Sequence, residues 1–109
     1  MNCVALNPAG EVTAFACSRL LLDELHILKV AVAAEHRKKG IATELMQHIM
    51  ATARRRGAGE VLLEVRPSNQ EGRSLYRKLA FHCIAVRANY YPDTGEDALV
   101  LKKTLKEAP

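Results

Sequence analysis

Three places in this chain have residue types and spacing suited to chemistry. The first is Glu35-His36-Arg37-Lys38-Lys39-Gly40-Ile41-Ala42-Thr43, a basic run that meets one glycine and turns into an apolar-periodic segment. The first N–H groups of a helix lack intrahelical partners, so a helix beginning near Gly40 offers donors to a phosphate. Glycine lets the backbone come close to such a group, and Lys38 and Lys39 add charge. The same residues also describe a solvated basic loop, and their spacing is neither G-x-x-x-x-G-K-[ST] nor G-x-G-x-x-G. The second place is Glu64, in the segment EVLLEV. As a strand, this puts Val61, Leu63 and Val65 on one face and Leu62, Glu64 and Arg66 on the other. Glu64 either faces solvent, pairs with Arg66, or is buried, and burial raises a carboxylate pKa toward the range of a general base. The third is Tyr76, between Leu75 and Leu79. It reads as a helix residue with its ring in the core and hydroxyl at the surface, or as a proton donor.

The elements that must position these groups are legible from periodicity. Leu6-Asn7-Pro8-Ala9-Gly10 is a turn cluster. A strand is expected over Val12–Leu22 and a second over Leu25–Ala33, separated by Asp23-Glu24. Ile41, Leu45, Ile49 and Ala53 recur at i+4, with Ala42, Met46 and Met50 widening the stripe, which predicts a helix over Ile41–Arg56. Arg54, Arg55 and Arg56 suit its C-terminal dipole, and Gly57 its stop. Glu60–Val65 is a strand. Ser68-Asn69-Gln70-Glu71 has the spacing of a capping box, and the helix it opens should run to about Leu79. Phe81–Tyr91 reads as a strand, Pro92-Asp93-Thr94-Gly95 as a turn, and Ala98–Leu105 as the last strand, hairpinned to the one before. The order is strand, strand, helix, strand, helix, strand, strand, an α/β layer structure with a mixed sheet.

The chain has 109 residues, enough for one small domain over 1–109, and its 49 % apolar content is that of a globular fold. The net charge of +4 suits a polyanionic ligand such as a nucleotide cofactor, nucleic acid or the ribosome. With 5 % aromatics and no Trp, a reader that stacks single-stranded bases is disfavoured. The odd set Cys3, Cys17 and Cys83, without a C-x-x-C pair, fits free thiols in a reducing cytoplasm. His26, His36, His48 and His82 lack ligand spacing, so no metal is expected. No apolar run is long enough to span a membrane.

Several motifs fall in order along the chain. Arg37-Lys38-Lys39-Gly40-Ile41-Ala42 resembles the [QR]-x-x-G-x-[GA] signature of the GNAT superfamily of N-acetyltransferases. Asn69, Leu75-Tyr76 and Leu79-Ala80-Phe81 resemble its N-x-x-x-x-x-L-Y-x-x-x-G-F block. Leu63-Glu64-Val65-Arg66-Pro67-Ser68-Asn69, Asn89-Tyr90-Tyr91-Pro92 and Glu96-Asp97-Ala98 are similar to the RimI-like ribosomal-protein N-terminal alanine acetyltransferases. The likeness runs from about Val12 to Leu105.

The resemblance implies a mixed, largely antiparallel sheet flanked by helices. It also implies acetyl-CoA as co-substrate, held by Arg37, Lys38, Lys39, Gly40, Ile41, Ala42, Thr43 and Asn69. Glu64 would take the proton of a primary amine, whose free α-form has a pKa near ~8, and Tyr76 would protonate the departing thiolate. Backbone N–H groups of Val30, Ala31 and Val32 would stabilise the oxyanion. The acceptor would be a protein N-terminus, with ribosomal protein suggested.

Three departures stand out. Gly72 replaces an alanine and should weaken its helix by ~1 kcal/mol. Ala80 replaces a glycine, where a left-handed C-cap would strain it. The usual N-terminal strand and two helices have no room before Pro8, so a homodimer or strand exchange is expected to cover the sheet. A non-catalytic CoA-binding module and a basic nucleic-acid or ribosome binder are the alternatives.

Overall fold

A computed structural model describes residues 2–105 of the chain. Six strands form one sheet: β1 (Asn2–Leu6), β2 (Val12–Leu21), β3 (Glu24–Val32), β4 (Glu60–Val65), β5 (His82–Arg87) and β6 (Ala98–Thr104). Helix α1 (Ile41–Arg55) connects β3 to β4, and α2 (Gln70–Lys78) connects β4 to β5. The strand order is β1-β2-β3-β4-β6-β5. Only the central β3–β4 pair is parallel, as a crossover through a helix requires; the other pairs are antiparallel. This is the expected mixed, largely antiparallel sheet.

One face of the sheet carries the core. Ala16, Leu25, Ile27, Val61, Leu63, Val65 and Leu101 meet Met46, Ile49, Met50 and Ala53 of α1 and Tyr76, Leu79 and Phe81 around α2. The i+4 stripe of α1 is therefore buried as its spacing predicts. At its N-terminal end Ile41 and Ala42 are only half-buried, because there the helix looks onto an opening rather than the core.

The elements differ from expectation in three places. Residues 2–6, read only as the approach to a turn, form β1 by pairing with β2, whose partner residues lie six to fifteen positions away in sequence. The strand expected over Phe81–Tyr91 ends at Arg87. Asn89 takes a left-handed backbone (φ 51°), which breaks the pleat and sends residues 88–97 out as a separate arm. The capping box is not formed. The side chain of Asn69, not Ser68, accepts from the N–H of Gly72 at 2.9 Å, and Ser68 turns to Glu96 instead.

Both helices end in the same motif, in which a left-handed residue after the C-cap allows two backward hydrogen bonds. In α1 the N–H groups of Gly57 and Ala58 donate to the carbonyls of Arg54 (3.1 Å) and Ala53 (2.9 Å). In α2 those of Ala80 and Phe81 donate to Arg77 (3.0 Å) and Tyr76 (2.9 Å). The accompanying apolar contact is the edge-on packing of Phe81 on Tyr76, with ring centroids 5.6 Å apart. Gly57 adopts its φ of 97° without a Cβ penalty, whereas Ala80 is held at φ 69°. The strain anticipated at this alanine is present. Left-handed backbone costs a residue with a Cβ roughly 1–2 kcal/mol, part of which glycine's chain entropy returns. Ala80→Gly is therefore expected to stabilise the protein by about 1 kcal/mol. This should raise the midpoint of thermal unfolding by roughly 4–8 °C, as read by circular dichroism.

Candidate active site

The site begins where the parallel pair comes apart. β3 and β4 are paired only from Glu24↔Glu60 through His26↔Leu62. In β3 the register against β2 then slips: Ser18 faces Ile27 and Cys17 faces Lys29, leaving Leu28 as a bulged extra residue. A bulge bends its strand. From here β3 stays with β2 while β4 stays with β6, and the sheet splits. The gap opens into a cleft of about 1180 Å³. Val30, Ala31 and Val32 line one side, the start of α1 a second, and the N-terminal half and one flank of α2 a third.

Strand alternation decides which amides the cleft receives. The N–H of Ala33 donates to Thr13 at 2.8 Å, so the amides of Ala33 and Ala31 point to β2. Those of Val30 and Val32, released from any β4 partner, point into the gap. Of the three expected donors, two are thus available and Ala31 contributes only its surface.

At the start of α1 the chain turns through Lys38 (φ 64°) and Gly40 (φ 78°). No side chain caps the helix. Its first backbone bond is from Glu44 N–H to Gly40 at 3.1 Å, which leaves the amides of Ile41, Ala42 and Thr43 to the cleft those residues line. A Cβ on Gly40 would meet nothing within 4 Å, so its glycine answers to the left-handed backbone and to the open space a ligand would enter. Arg37 spans the base of the loop, its Nε donating to the Val32 carbonyl at 3.3 Å. Lys39 does not line the cleft; its ammonium turns back to His36 Nδ1 at 3.5 Å. His36 lines the cleft in its place.

Asn69 lines the opposite wall while capping α2. The cap accounts for Gly72. A Cβ there would stand 2.6 Å from the Asn69 side-chain nitrogen and 2.9 Å from its Cγ. The propensity of ~1 kcal/mol that alanine would add is offset by displacing a cap of similar value. Tyr76 is buried and faces the cleft, and its burial pushes the phenol above its usual pKa, with Tyr91 adding to the shift. It is therefore a neutral hydroxyl at physiological pH. Ser74, Arg77 and Lys78 also line this wall. Their i, i+3, i+4 spacing marks a polar face, but nothing in the sequence says that the face meets a cleft.

Glu64 stands on the sheet face away from the helices and is exposed, not buried. Its partner is Arg87 on the edge strand, 3.9 Å away, rather than Arg66. Arg66 is engaged elsewhere. It forks onto Asp93 with two bonds of 3.0 Å and stacks on the ring of Tyr91 at 4.1 Å. This stack sets Tyr91 against the end of β4, two residues from Glu64.

The split sheet and the uncapped helix at its mouth define an N-acetyltransferase fold. The chain superposes on the crystal structure of the ribosomal-protein-S18-alanine N-acetyltransferase from Escherichia coli with a TM-score of 0.90 and 30 % identity, covering 100 % of this chain and 71 % of that one. It belongs to the acetyltransferase (GNAT) family, whose profile matches residues 2–81. The [ribosomal protein bS18]-alanine N-acetyltransferase of Escherichia coli K12 is 35 % identical over 98 residues, covering 88 % of this chain and 66 % of the relative. An N-alpha-acetyltransferase of Saccharolobus solfataricus is 42 % identical over 86 residues, covering 78 % of this chain and 51 % of the relative. The chain thus spans about two thirds of the length of the first relative and half of the second.

The Arg66 cluster sets an acid response. The hydrogen bond from Arg66 holds the Asp93 carboxyl below its usual pKa, and that from the Ser68 hydroxyl does the same for Glu96. Carboxylates with depressed folded pKa values contribute stability above their unfolded pKa of about 4 and lose it as pH falls through the folded one. Between about pH 5 and pH 3 the wild type should lose stability that Asp93→Asn does not, so their melting temperatures should converge in acid.

Proposed function

We propose that the chain binds acetyl-CoA in the split-sheet cleft and transfers the acetyl group to a primary amine, the N-terminal α-amine of a protein. The observation that carries this reading is the uncapped N-terminus of α1 beside the two freed β3 amides. The first set suits a pyrophosphate, whose negative charge complements the helix dipole and Lys38. The second suits the oxygen of a bound acyl group. The cleft is large enough for an extended nucleotide thioester. When bound, acetyl-CoA supplies the activated acetyl group. An α-amine with a pKa near ~8 is largely protonated at neutral pH and must lose that proton to act as nucleophile. Glu64 accepts it, directly or through water; the carboxylate is exposed on β4, beyond the three residues that pair with β3. Tyr76, held neutral, donates a proton to the leaving sulfur. The protein N-terminus as acceptor is supported by the names of the bacterial and archaeal relatives. The free thiols of Cys3, Cys17 and Cys83 suit a reducing cytoplasm.

Glu64 is exposed and stands outside the residues that line the cleft, which favours a second reading, a CoA-binding module without turnover. Titration calorimetry and an acetyl-transfer assay on a peptide with a free N-terminal alanine separate the two. Micromolar acetyl-CoA binding is expected, weakened at least tenfold in Gly40→Glu, whose carboxylate would occupy the anion site. Glu64→Gln should keep that affinity and lose about 10²–10⁴ in turnover. Binding without turnover in the wild type would establish the second reading, and no binding would remove both.

A homodimer that covers the outer sheet face is part of this proposal, supported by Val4, Leu6 and Val12 of the edge hairpin, each more than half exposed there. Light scattering at micromolar concentration should give twice the chain mass; a monomer would exclude this assembly.

A further inference from the structure

We infer that Arg66 is a positioning residue for the acceptor, holding residues 88–97 as a wall of the entrance beside Glu64; this rests on the acetyl-transfer reading. The arm has little fold of its own. Its internal backbone bonds are Tyr91 N–H to Glu96 (3.1 Å) and Gly95 N–H to Tyr91 (2.8 Å), which close a turn but do not place it. Placement comes from the end of β4. Arg66 donates to both carboxylate oxygens of Asp93 at 3.0 Å and to the Thr94 hydroxyl at 3.2 Å, and its guanidinium carbon lies 4.1 Å from the centre of the Tyr91 ring. Ser68, two residues on, donates from its hydroxyl and its N–H to Glu96 at 2.9 and 3.2 Å.

The arm's acidic residues are all engaged within this clasp. Asp93 is taken by Arg66, Glu96 by Ser68, and Asp97 accepts the N–H of Asn89 at 3.0 Å. The carboxylates are thus fastenings, not a surface that reads a basic substrate. Glu64 stays outside the clasp, exposed on β4 with Arg87 at 3.9 Å. Arg87, which pairs with Glu64, also lies 5.6 Å from the ring centre of Tyr90 in the arm, and what the fastenings hold is the next ring, Tyr91, against Arg66 two residues from Glu64. An amine approaching Glu64 passes this ring. The cofactor cleft does not include the arm, so loosening the clasp should act on the acceptor and leave the nucleotide alone.

The planar fork makes a conservative exchange informative. Lysine keeps the charge but cannot make two parallel bonds or the same flat stack. Arg66→Gln, Arg66→Lys and Asp93→Asn are to be compared with the wild type in three measurements: acetyl-CoA affinity by calorimetry, transfer kinetics on a short peptide with a free N-terminal alanine, and amide hydrogen exchange of residues 88–97. All three variants are expected to bind acetyl-CoA within twofold of wild type. Their acceptor KM should rise about 10- to 100-fold, with kcat changed less, and arm exchange should quicken. Arg66→Lys should restore neither KM nor protection. Asp93→Asn cuts the same fork from the other side and serves if an Arg66 variant fails to fold. An unchanged acceptor KM with faster exchange would show that the arm does not position the acceptor. Wild-type exchange rates in the variants would show that the fork does not hold the arm. Equal losses of acetyl-CoA affinity would make the residue a general scaffold. A wild type that binds acetyl-CoA but acetylates no peptide would remove the acetyl-transfer reading and this role with it.

Discussion

The parting of β3 from β4 is the constraint on which the rest of this structure depends. A parallel pair joined through a helix must be central and closely packed. Here it is paired over three residues on each strand and then released. The bulge at Leu28 is what releases it, because the extra residue bends β3 along β2 while β4 follows β6. Everything with chemical potential lies along that split. The freed amides of Val30 and Val32, the uncapped start of α1, the Asn69 cap and the Tyr76 hydroxyl border it, and Glu64 lies on the β4 side.

The split has to be supported, since unpaired strand ends would otherwise collapse together or take up other partners. Support comes from both sides. On the β3 side, Arg37 ties the basic loop to the Val32 carbonyl. On the β4 side, Arg66 and Ser68 bind the 88–97 arm, while Arg73 donates to the Pro67 carbonyl at 3.0 Å and so anchors the loop that leads into α2. Lys103 donates to the Leu79 carbonyl at the far end of the same helix. The holds made by Arg37, Arg73 and Lys103 are side chain to backbone, which fixes a loop without demanding a second ordered side chain.

Basic residues in this chain divide accordingly into those that face a ligand space and those that tie loops down. Lys38, Arg77 and Lys78 line the cleft, and Arg37 lines it while also tying its loop. Arg66, Arg73 and Lys103 hold carbonyls or carboxylates, and Lys39 folds onto its own loop. A net positive charge therefore overstates how much cationic surface a polyanion would meet. Sequence composition points to the proposed class of ligand for a partly incidental reason.

Local physics was legible in the sequence wherever neighbours along the chain decide the outcome. The stripe of α1, its arginine-rich C-terminus closed by Gly57 and the alternation of β4 follow from spacing and backbone sterics, while the strain at Ala80 was legible through the family resemblance. The basic loop with Gly40 at the head of a helix was legible in the same way, and the motifs that place the chain among acetyltransferases were legible by resemblance. Tertiary structure decided what depends on distant partners. Residues 2–6 became a strand because β2 was there to pair with. Ser68 left its capping role because Glu96, far along the chain, offered a carboxylate. Arg66 chose Asp93 over Glu64, and Glu64 met solvent and Arg87, because an arm that no periodicity announces folds across the end of β4. Spacing along the chain names the groups that can do chemistry. Only the packed sheet, by splitting where it does, decides which of them face the same space.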